Sequence, residues 1–212
     1  MKNTKLTRRG VLGIGAAAAS LLTLPTAAQT THTKATPWQT EGPYFPTRDQ
    51  SDKDADLTQI EGHTSTALGE VIEVQGRVLD TDGNPITGAL IDIWQANAAG
   101  RYDHESDPSQ APLDVNFQGW ARLVTGEDGR YSLRTIRPGA YAVDVQWTRP
   151  AHIHYKVARR GFKEITTQLY FKGDPLIDID RLILAVPQSE RGSLIGDFSD
   201  GSATFNVVLA RV

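Results

Sequence analysis

Two histidines separated by one residue, His152 and His154, are the residues of this chain best suited to bind a metal ion. If residues 152–157 form a β-strand, both side chains point to one face of the strand and Ile153 points to the other. Two imidazoles on one face can occupy neighbouring positions around a single metal ion. Pro150 precedes this segment, and a residue that cannot donate a ladder hydrogen bond suits the start of a strand. The spacing therefore predicts half of a metal site.

The other ligands of such a site must come from residue types other than cysteine, which the chain lacks. Carboxylates are plentiful, but none stands in a histidine-plus-acid pattern such as HExxH. Tyrosine does recur nearby, as Tyr102 in WQANAAGRYDH and Tyr141 in RPGAY. A phenolate is a hard anionic donor, and a trivalent cation lowers the pKa of a bound phenol as it lowers that of bound water. Two phenolates, two neutral imidazoles and a hydroxide would make a ferric site neutral, which suits partial burial.

Five segments between Trp38 and Pro175 form the most specific pattern in the chain. In order, they are WQTEGPYFP, GRVLDTDGNPITGALIDIWQANAAGRYDH, DGRYSLRTIRPGAY, RPAHIHYKV and TQLYFKGDP. In sequence and spacing they resemble the intradiol ring-cleavage dioxygenases, most closely the protocatechuate 3,4-dioxygenase branch. The resemblance implies an enzyme with non-haem ferric iron that cleaves a catechol-type ring between its two hydroxyl-bearing carbons. Both atoms of O2 would enter the product, which would be of the cis,cis-muconate type.

The resemblance also implies roles for individual residues. The four iron ligands of the family correspond here to Tyr102, Tyr141, His152 and His154. Tyr141 matches the tyrosine that leaves the metal when substrate binds and accepts a proton from it. Tyr131 competes for this role, but it starts a predicted strand after a turn, where a tyrosine with its hydroxyl near water is ordinary.

Three further polar side chains, close to the predicted ligands in the chain, could also belong to the site. His104 could be an extra ligand, but we favour a loop histidine that hydrogen-bonds to nearby backbone. Arg149 could be a surface residue of its loop. Beside a site where negative charge develops on a bound ring, however, a fixed guanidinium stabilises that charge, and the RPxHIH match favours this catalytic role. Gln168, in TQLYF, matches a glutamine that lies near the pocket and the arginine in the family.

The segment WQTEGPYFP combines aromatic residues with glycine and proline and has no periodicity. By itself it predicts an ordered loop that packs its aromatic side chains against the domain. In the family, a similar TxGPY segment walls the substrate cleft, and by resemblance the substrate-binding candidates are Thr40, Gly42, Pro43 and Tyr44. Enzymes of the protocatechuate branch carry this segment on a second, unlike chain. Here one chain carries both parts, so we expect a homo-oligomer or a monomer that uses its own arm.

Short alternating segments dominate the second part of the chain. One face of the first such segment carries Ile72, Val74, Gly76 and Val78, which we predict to be its core face. Turn residues separate further predicted strands at 89–94, 117–125, 131–136, 152–157, 166–171 and 203–210. One short helical turn is predicted near residues 179–184. The pattern predicts an all-β chain, an antiparallel β-sandwich with long loops and little helix, which is also the family fold.

Residues 1–28 have the features of an export signal. Four basic residues precede an apolar stretch at 11–24, and small residues that suit cleavage follow it. The sequence TRRGVL is close to a twin-arginine signal, and the apolar stretch is shorter than the roughly 20 residues of a membrane-spanning helix. We therefore predict an exported periplasmic or extracellular protein, with an N-terminal arm at 29–69 and an iron-binding catalytic domain at 70–212.

The charge balance limits the partners of the protein. The chain has 22 basic and 25 acidic residues, and the predicted signal contains four of the basic and none of the acidic ones, which leaves the mature chain a net charge of −7. An acidic balance argues against nucleic acid and anionic membranes as partners. The resemblance implies a small aromatic diol and O2 as the partners.

Two other classes of protein remain compatible with parts of the pattern. The GxVxDxxGxPxxGAxxxxW segment also occurs in transthyretin-like and carbohydrate-associated β-sandwich modules, which bind without catalysis and need no metal. A zinc hydrolase could use His152 and His154, but it would need a carboxylate as a third ligand or base. Neither class accounts for both tyrosines and the arginine at these spacings.

Overall fold

The structure, a computed structural model, describes residues 33–212, and the predicted export signal lies outside the described residues. The described residues form β1 Val71–Asp80, β2 Leu90–Trp94, β3 Trp120–Val124, β4 Arg130–Ile136, β5 Tyr141–Asp144, β6 Trp147–Arg149, β7 His152–Ala158, β8 Ile165–Phe171, β9 Ile195–Gly196, β10 Ser202–Thr204 and β11 Val207–Leu209. Two short helices are α1 Arg181–Leu184 and α2 Gln188–Arg191, and 3₁₀ turns occur at Pro175–Ile179 and Gly192–Leu194.

The strands form two main sheets with a shared core. In one sheet, the long strand β1 pairs antiparallel with β4 and parallel with β10 and β11. In the other, the order is β3-β2-β7-β8-β9, and the β8–β9 pair is parallel. Both sheets contribute to one buried apolar cluster, which includes Val74, Ile93, Leu133, Ile153 and Leu169. The predicted β-sandwich is confirmed, with three short parallel pairings beside the antiparallel ones.

Strand β1 shows how the sequence pattern sets the register of the sandwich. Its residues alternate along most of its length, and the predicted core face of Ile72, Val74, Gly76 and Val78 is buried. Because side chains alternate across a strand, a slip of one residue would move this apolar set into water. Glycine is required at position 76, since a Cβ there would lie 1.8 Å from the carbonyl oxygen of Phe205.

The strand predicted at residues 203–210 is divided into β10 and β11. At the break, the Arg77 backbone N–H donates to the Asn206 side chain at 2.9 Å, and the Tyr131 hydroxyl donates to the Phe205 carbonyl at 2.7 Å. Side chains thus satisfy backbone groups that a continuous ladder would pair. Tyr131 is buried, so the expectation that its hydroxyl lies near water is wrong. Its ring points inward because Gly76, its partner on β1, leaves the space free.

Two elements lie outside the main sheets. Strands β5 and β6 pair with each other in a two-stranded ribbon, in which Tyr141 lies opposite Arg149. Residues 175–194 form the short helices and 3₁₀ turns, where Ile183 packs with Tyr170 of β8. The helical turn that the sequence predicts in this segment corresponds to α1. Within the described part of the chain, none of the helices has the length and apolarity that crossing a bilayer requires.

The N-terminal arm follows the sandwich of its own chain. The backbone N–H groups of Thr36 and Gln39 donate to the carbonyl oxygens of Val208 and Thr166, at 3.0 and 2.8 Å. These bonds hold the arm on strands β11 and β8. The next residues of the arm can therefore reach the face of the second sheet where the histidines of β7 lie.

Candidate active site

Different contacts fix the two histidines of β7, but their Nε2 atoms point toward each other. The Nε2 atoms of His152 and His154 are 3.1 Å apart, and Ile153 between them is buried in the core, as predicted. His152 Nδ1 lies 2.7 Å from the carbonyl oxygen of Pro150, which assigns the proton to Nδ1 and leaves a lone pair on Nε2. Trp94, the β2 partner of His154, stacks on its ring with centroids 4.7 Å apart.

Both imidazoles are held in the neutral form. Burial lowers the pKa of His152 well below its usual value, and the charges of Arg149 and His154 add to this effect. Burial and the Arg149 charge likewise lower the pKa of His154. Because a neutral imidazole keeps a lone pair for a cation, both rings are ready to bind a metal at neutral pH.

Two loops that touch at glycine bring the two tyrosines together. Each tyrosine follows a glycine by two residues, as Gly100-Arg-Tyr102 and Gly139-Ala-Tyr141. A Cβ on Gly139 would lie 2.4 Å from the backbone nitrogen of Gly100, and one on Gly100 would lie 2.3 Å from the carbonyl oxygen of Ala140. Gly100 also has a φ of +76°, which other residues rarely adopt. This close backbone contact leaves the tyrosine rings with centroids 5.6 Å apart.

The phenol groups complete a cluster of four potential ligands. The Tyr102 hydroxyl lies 3.5 Å from His152 Nε2, and the Tyr141 ring lies 5.6 Å from the His152 ring. Burial raises the pKa of both phenols, with Arg149 opposing the rise. Both phenols are therefore protonated when no cation is bound. A bound trivalent cation would lower the pKa of both and convert them to phenolates. The structure brings all four predicted iron ligands together.

The two residues that competed for a ligand role are committed elsewhere. Tyr131 belongs to β4 in the other sheet, and its hydroxyl is bonded to the Phe205 carbonyl. His104 Nε2 lies 3.1 Å from the Phe45 carbonyl oxygen, and its Nδ1 accepts from the Ser106 N–H at 3.1 Å. Both ring nitrogens of His104 thus contact backbone groups, as we expected for a loop histidine.

Arg149 is buried beside the ligand cluster rather than lying on the surface. Its Nε donates to Asp180 Oδ1 at 3.0 Å, and its Nη2 donates to Gln168 Oε1 at 2.6 Å and to the Tyr170 hydroxyl at 3.2 Å. Tyr141 lies opposite it in the ribbon, and the charge of the guanidinium opposes the rise that burial causes in the pKa of Tyr141. Gln168 is fully buried and contacts the arginine, so the structure places it where the resemblance implied.

The WQTEGPYFP segment of the arm, residues 38–46, is called the cleft loop below, and it approaches the cluster through Thr40 and Gly42. The Thr40 carbonyl accepts a hydrogen bond from Gln168 Nε2 at 3.1 Å, which ties the loop to the residue that holds the arginine. Gly42 has a φ of +72°, and a Cβ there would lie 3.8 Å from Cε1 of His154. The loop therefore runs directly beside a metal-ligand candidate.

Tyr44 forms a wall of the site. Its ring lies 4.6 Å from the Tyr102 ring and 5.9 Å from the Tyr141 ring, measured between centroids. Pro43 is exposed to solvent at the outer edge of the loop. A cavity of about 310 Å³ borders this wall, with Tyr44, Tyr102 and Trp94 among its lining residues. Tyr102 lines this cavity, but neither histidine of β7 does. The cavity therefore lies to one side of the ligand cluster.

Asp180 is a residue of the site that the sequence analysis did not identify. Its carboxylate is fully buried and accepts hydrogen bonds from Arg149 and from Trp147 Nε1, the latter at 3.1 Å. The local signal is an aspartate directly before Arg181-Leu-Ile-Leu, which is typical of a helix N-cap. That signal predicts a cap and carries no information about a distant arginine.

The donor set fits a hard trivalent cation. His154 Nε2 and the Tyr102 hydroxyl lie 3.1 and 3.5 Å from His152 Nε2, with a second phenol adjoining. This mixture of nitrogen and anionic oxygen donors suits iron. Among residues 33–212, no group of three or more His, Cys, Asp and Glu side chains is arranged to hold a metal. Among these residues, the zinc hydrolase alternative therefore lacks a carboxylate that could act as its third ligand.

Comparison with known proteins agrees with this site. A family model described as "Dioxygenase" matches residues 40–209. The protocatechuate 3,4-dioxygenase beta chain of Burkholderia cepacia is 44% identical over 161 residues, which cover 74% of this chain and 68% of the relative. Hydroxyquinol 1,2-dioxygenase of Rhizobium sp. (strain MTP-10005) is 38% identical over 143 residues, which cover 61% of this chain but only 45% of the relative.

A solved structure is also similar over nearly the whole domain. The dioxygenase domain of a dioxygenase carbohydrate-binding protein fusion, from the cellulolytic bacterium Streptomyces sp. SirexAA-E, is 34% identical with a TM-score of 0.63. The similarity covers 84% of this chain and 100% of that domain. The ligand cluster, the family match and these relatives agree, and the chain belongs to the intradiol ring-cleavage dioxygenases, a family of oxidoreductase enzymes.

Proposed function

We propose that this protein is a non-haem ferric dioxygenase that cleaves a protocatechuate-like catechol between its hydroxyl-bearing carbons with O2. Four residues would hold the iron: Tyr102, Tyr141, His152 and His154. The observation that carries the proposal is the convergence of two imidazole Nε2 atoms, 3.1 Å apart, with a phenol oxygen 3.5 Å from one of them. When bound, the ferric ion would supply the charge that lets a catechol bind as a dianion and react with O2.

Tyr141 has the position of a proton acceptor. It is only partly buried, at the start of the β5–β6 ribbon, whereas Tyr102 is buried in a cluster with Trp94 and Trp120. Tyr141 is therefore the phenol with room to move when a substrate enters. Burial raises the pKa of Tyr141, and the positive charge of Arg149 opposes this rise because it favours the phenolate. We expect Tyr141 to take a proton from the entering diol, while Tyr102 stays in place.

Arg149 supplies a fixed positive charge next to the reacting ring. Hydrogen bonds to Asp180 and Gln168 hold its guanidinium, so it does not have to reorient during the reaction. A preorganised charge in a buried site stabilises negative charge as it develops on the ring. Gln168 acts through the arginine and also fastens the cleft loop to it.

The cleft loop comes from the same chain as the ligand cluster. This arrangement supports a complete active unit within one chain, which any homo-oligomer would then repeat rather than create. Thr40, Gly42 and Tyr44 would border the bound ring, and the packing of Tyr44 on Tyr102 would limit access of water to the metal.

We also propose that the enzyme acts outside the cytoplasm on catechols released from plant material. The twin-arginine-like sequence within residues 1–28 supports export. The similar Streptomyces domain belongs to a fusion with a carbohydrate-binding protein in a cellulolytic bacterium, which supports a substrate met together with plant polymers. Expression with the native N-terminus followed by cell fractionation tests this point, and retention in the cytoplasm would contradict it.

The visible absorption spectrum of the purified protein, recorded before and after anaerobic addition of a catechol, tests the proposed activity. Phenolate bound to ferric iron should give a reddish charge-transfer band, and chelation by the catechol should shift it. His152→Ala should lose the band together with its iron. A protein that stays colourless after iron reconstitution would overturn the proposal and favour the β-sandwich binding module.

Substitution of single tyrosines tests the assignment of the displaceable ligand. Tyr141→Phe should retain iron but change the absorption band and slow the deprotonation of substrate. Tyr131→Phe is the matched control, because it removes a buried hydroxyl from the other sheet. An unchanged spectrum in the Tyr141 variant, with a changed one in the control, would reverse the assignment.

A further inference from the structure

Asp180 is a buried acid in a segment that belongs to neither main sheet. It follows the 3₁₀ turn Pro175–Ile179 and is the N-cap of α1, where its side chain accepts from the Ile183 N–H. A helix cap is ordinarily a surface position with water nearby. Asp180 instead has no solvent exposure, so its second role must be sought among the groups around it.

Those groups are the side chains of the β5–β6 ribbon. Asp180 Oδ1 accepts from Arg149 Nε at 3.0 Å and from Trp147 Nε1 at 3.1 Å, and Oδ2 lies 3.4 Å from Arg149 Nη2. The carboxylate thus meets one edge of the planar guanidinium with both oxygens. A fork of this kind fixes the orientation of the arginine as well as its position.

Two other hydrogen bonds of the guanidinium are both made by its Nη2 atom. Nη2 also donates to Gln168 Oε1 and to the Tyr170 hydroxyl, at 2.6 and 3.2 Å. The Tyr170 hydroxyl in turn accepts from Gln39 Nε2 and donates to Gln168. None of these partners carries a charge in its ordinary form. Asp180 is therefore the counter-ion in direct contact with the buried arginine, and the other residues restrict one of its nitrogens.

We propose that Asp180 is a positioning residue for ring cleavage, which presents the remaining edge of the Arg149 guanidinium to the bound diol. The inference rests on the proposed function, since it gives a role to the arginine in that reaction. It also gives a reason for the helical segment 175–194, which places a carboxylate behind the ribbon. Asp180 contacts none of the four proposed iron ligands through a hydrogen bond of its own, so it should affect turnover without affecting the metal.

Steady-state kinetics of the iron-loaded enzyme test the proposal with Asp180→Asn. Asparagine keeps the size of the side chain but presents an N–H group to one of the donors and removes the counter-charge. Turnover should fall about 100-fold, the effect of misplacing a catalytic group by about 1 Å. The KM for the diol, the iron content and the visible spectrum should change little.

A matched control is available elsewhere in the same chain. Asp92 accepts from Trp120 Nε1 at 3.0 Å and from Arg122 Nε at 2.8 Å, the same pair of donors that Asp180 has. Asp92→Asn therefore repeats the chemical change at an acid that makes no hydrogen bond to Arg149 or to any of the four proposed iron ligands. Equal turnover in the two aspartate variants, whether reduced or intact, would overturn the inference.

A double-mutant cycle separates positioning from a general structural role. If Asp180 acts through the arginine, Asp180→Asn should cause no further loss of turnover when Arg149 is already alanine. Losses that multiply in the double variant would show an independent structural effect and contradict the proposal. An inactive wild-type enzyme would contradict the proposed function instead, so the two failures can be distinguished.

A variant with a smaller change covers the case in which Asp180→Asn does not fold. Trp147→Phe removes one hydrogen bond to Oδ1 and leaves both the acid and the arginine in place. We expect a several-fold loss of turnover with unchanged iron content, and Asp180→Glu, which keeps the charge, should retain more activity than asparagine. Wild-type turnover in Trp147→Phe would contradict the proposal. It would also be contradicted if Asp180→Glu showed no more activity than Asp180→Asn.

Discussion

Two regions of this molecule contain the same trio of side chains. In one, Trp120 and Arg122 of β3 both donate to Asp92; in the other, Trp147 and Arg149 of β6 both donate to Asp180. In each case tryptophan and arginine are separated by one residue, and the arginine lies over the tryptophan ring, at 5.1 and 5.7 Å. The local chemistry of the two trios is therefore almost the same.

The trios differ in burial and in how the acid reaches the arginine. The Arg122 side chain is 42% exposed, whereas the Arg149 side chain is 4% exposed. Asp92 lies directly opposite Arg122 on the neighbouring strand, so strand pairing alone creates that contact. Asp180 comes from a helical segment 31 residues after Arg149. An arginine at the surface of a sheet gains a modest ion pair, and a buried one becomes a fixed charge that a reaction can use.

Removal of each arginine should give the largest difference between the regions. Arg149→Ala should lower turnover about 1000-fold, because the charge that stabilises the reacting ring is lost, while iron content stays the same. Arg122→Ala should leave turnover at the wild-type level. Both variants can be compared by oxygen uptake with a catechol and by iron analysis. Equal activity in the two would return Arg149 to the role of an ordinary ion pair.

Neutralising each aspartate should lower the free energy of unfolding by different amounts in the two regions. Asp180→Asn leaves a buried arginine without its counter-charge, which should cost about 3–5 kcal/mol of the free energy of unfolding. Asp92→Asn leaves a partly exposed arginine and should cost about 1 kcal/mol or less. Denaturant unfolding of the iron-free proteins measures both values. A larger loss in the Asp92 variant would contradict the difference in burial.

Salt should have the smallest effect and should act on one region alone. At 1 M NaCl, where the Debye length is about 3 Å, the coupling energy between Asp92 and Arg122 should fall toward zero. The coupling between Asp180 and Arg149 should change little, because water and ions do not reach it. Double-mutant cycles at low and high salt measure the two coupling energies, and equal screening would indicate that the ribbon opens to solvent.

The sequence predicted those parts of the fold that depend on neighbouring residues. Alternation located β1 and its core face, and the His-Ile-His spacing placed two imidazoles on one face of β7. The break between β10 and β11 was not predicted, because it depends on Asn206 and Tyr131 satisfying backbone groups of a distant strand. Tyr131 lies in the other sheet from the predicted ligands, and its burial follows from the missing side chain of Gly76 on the partner strand.

The site shows the same division between local and distant information. The resemblance pointed to both tyrosines, both histidines, the arginine and the glutamine, and the structure brings all six together. It gave no indication of Asp180, since an N-cap aspartate predicts a helix end and nothing more. The cavity beside Tyr44 and the packing of the arm on its own sandwich also depend on contacts between segments far apart in the chain.

The amino-acid sequence by itself determined the residue types of the ligand set, the faces of the strands and the family of the enzyme. The strand faces depend on spacings of a few residues, over which backbone geometry is fixed by the period of a strand, and the ligand types and the family depend on the order and spacing of five sequence segments. Only the tertiary structure decided that the loops before Tyr102 and Tyr141 meet at two glycines, and that Asp180 rather than solvent faces Arg149. Such contacts arise because close packing of the sandwich leaves one arrangement in which the buried polar groups find partners.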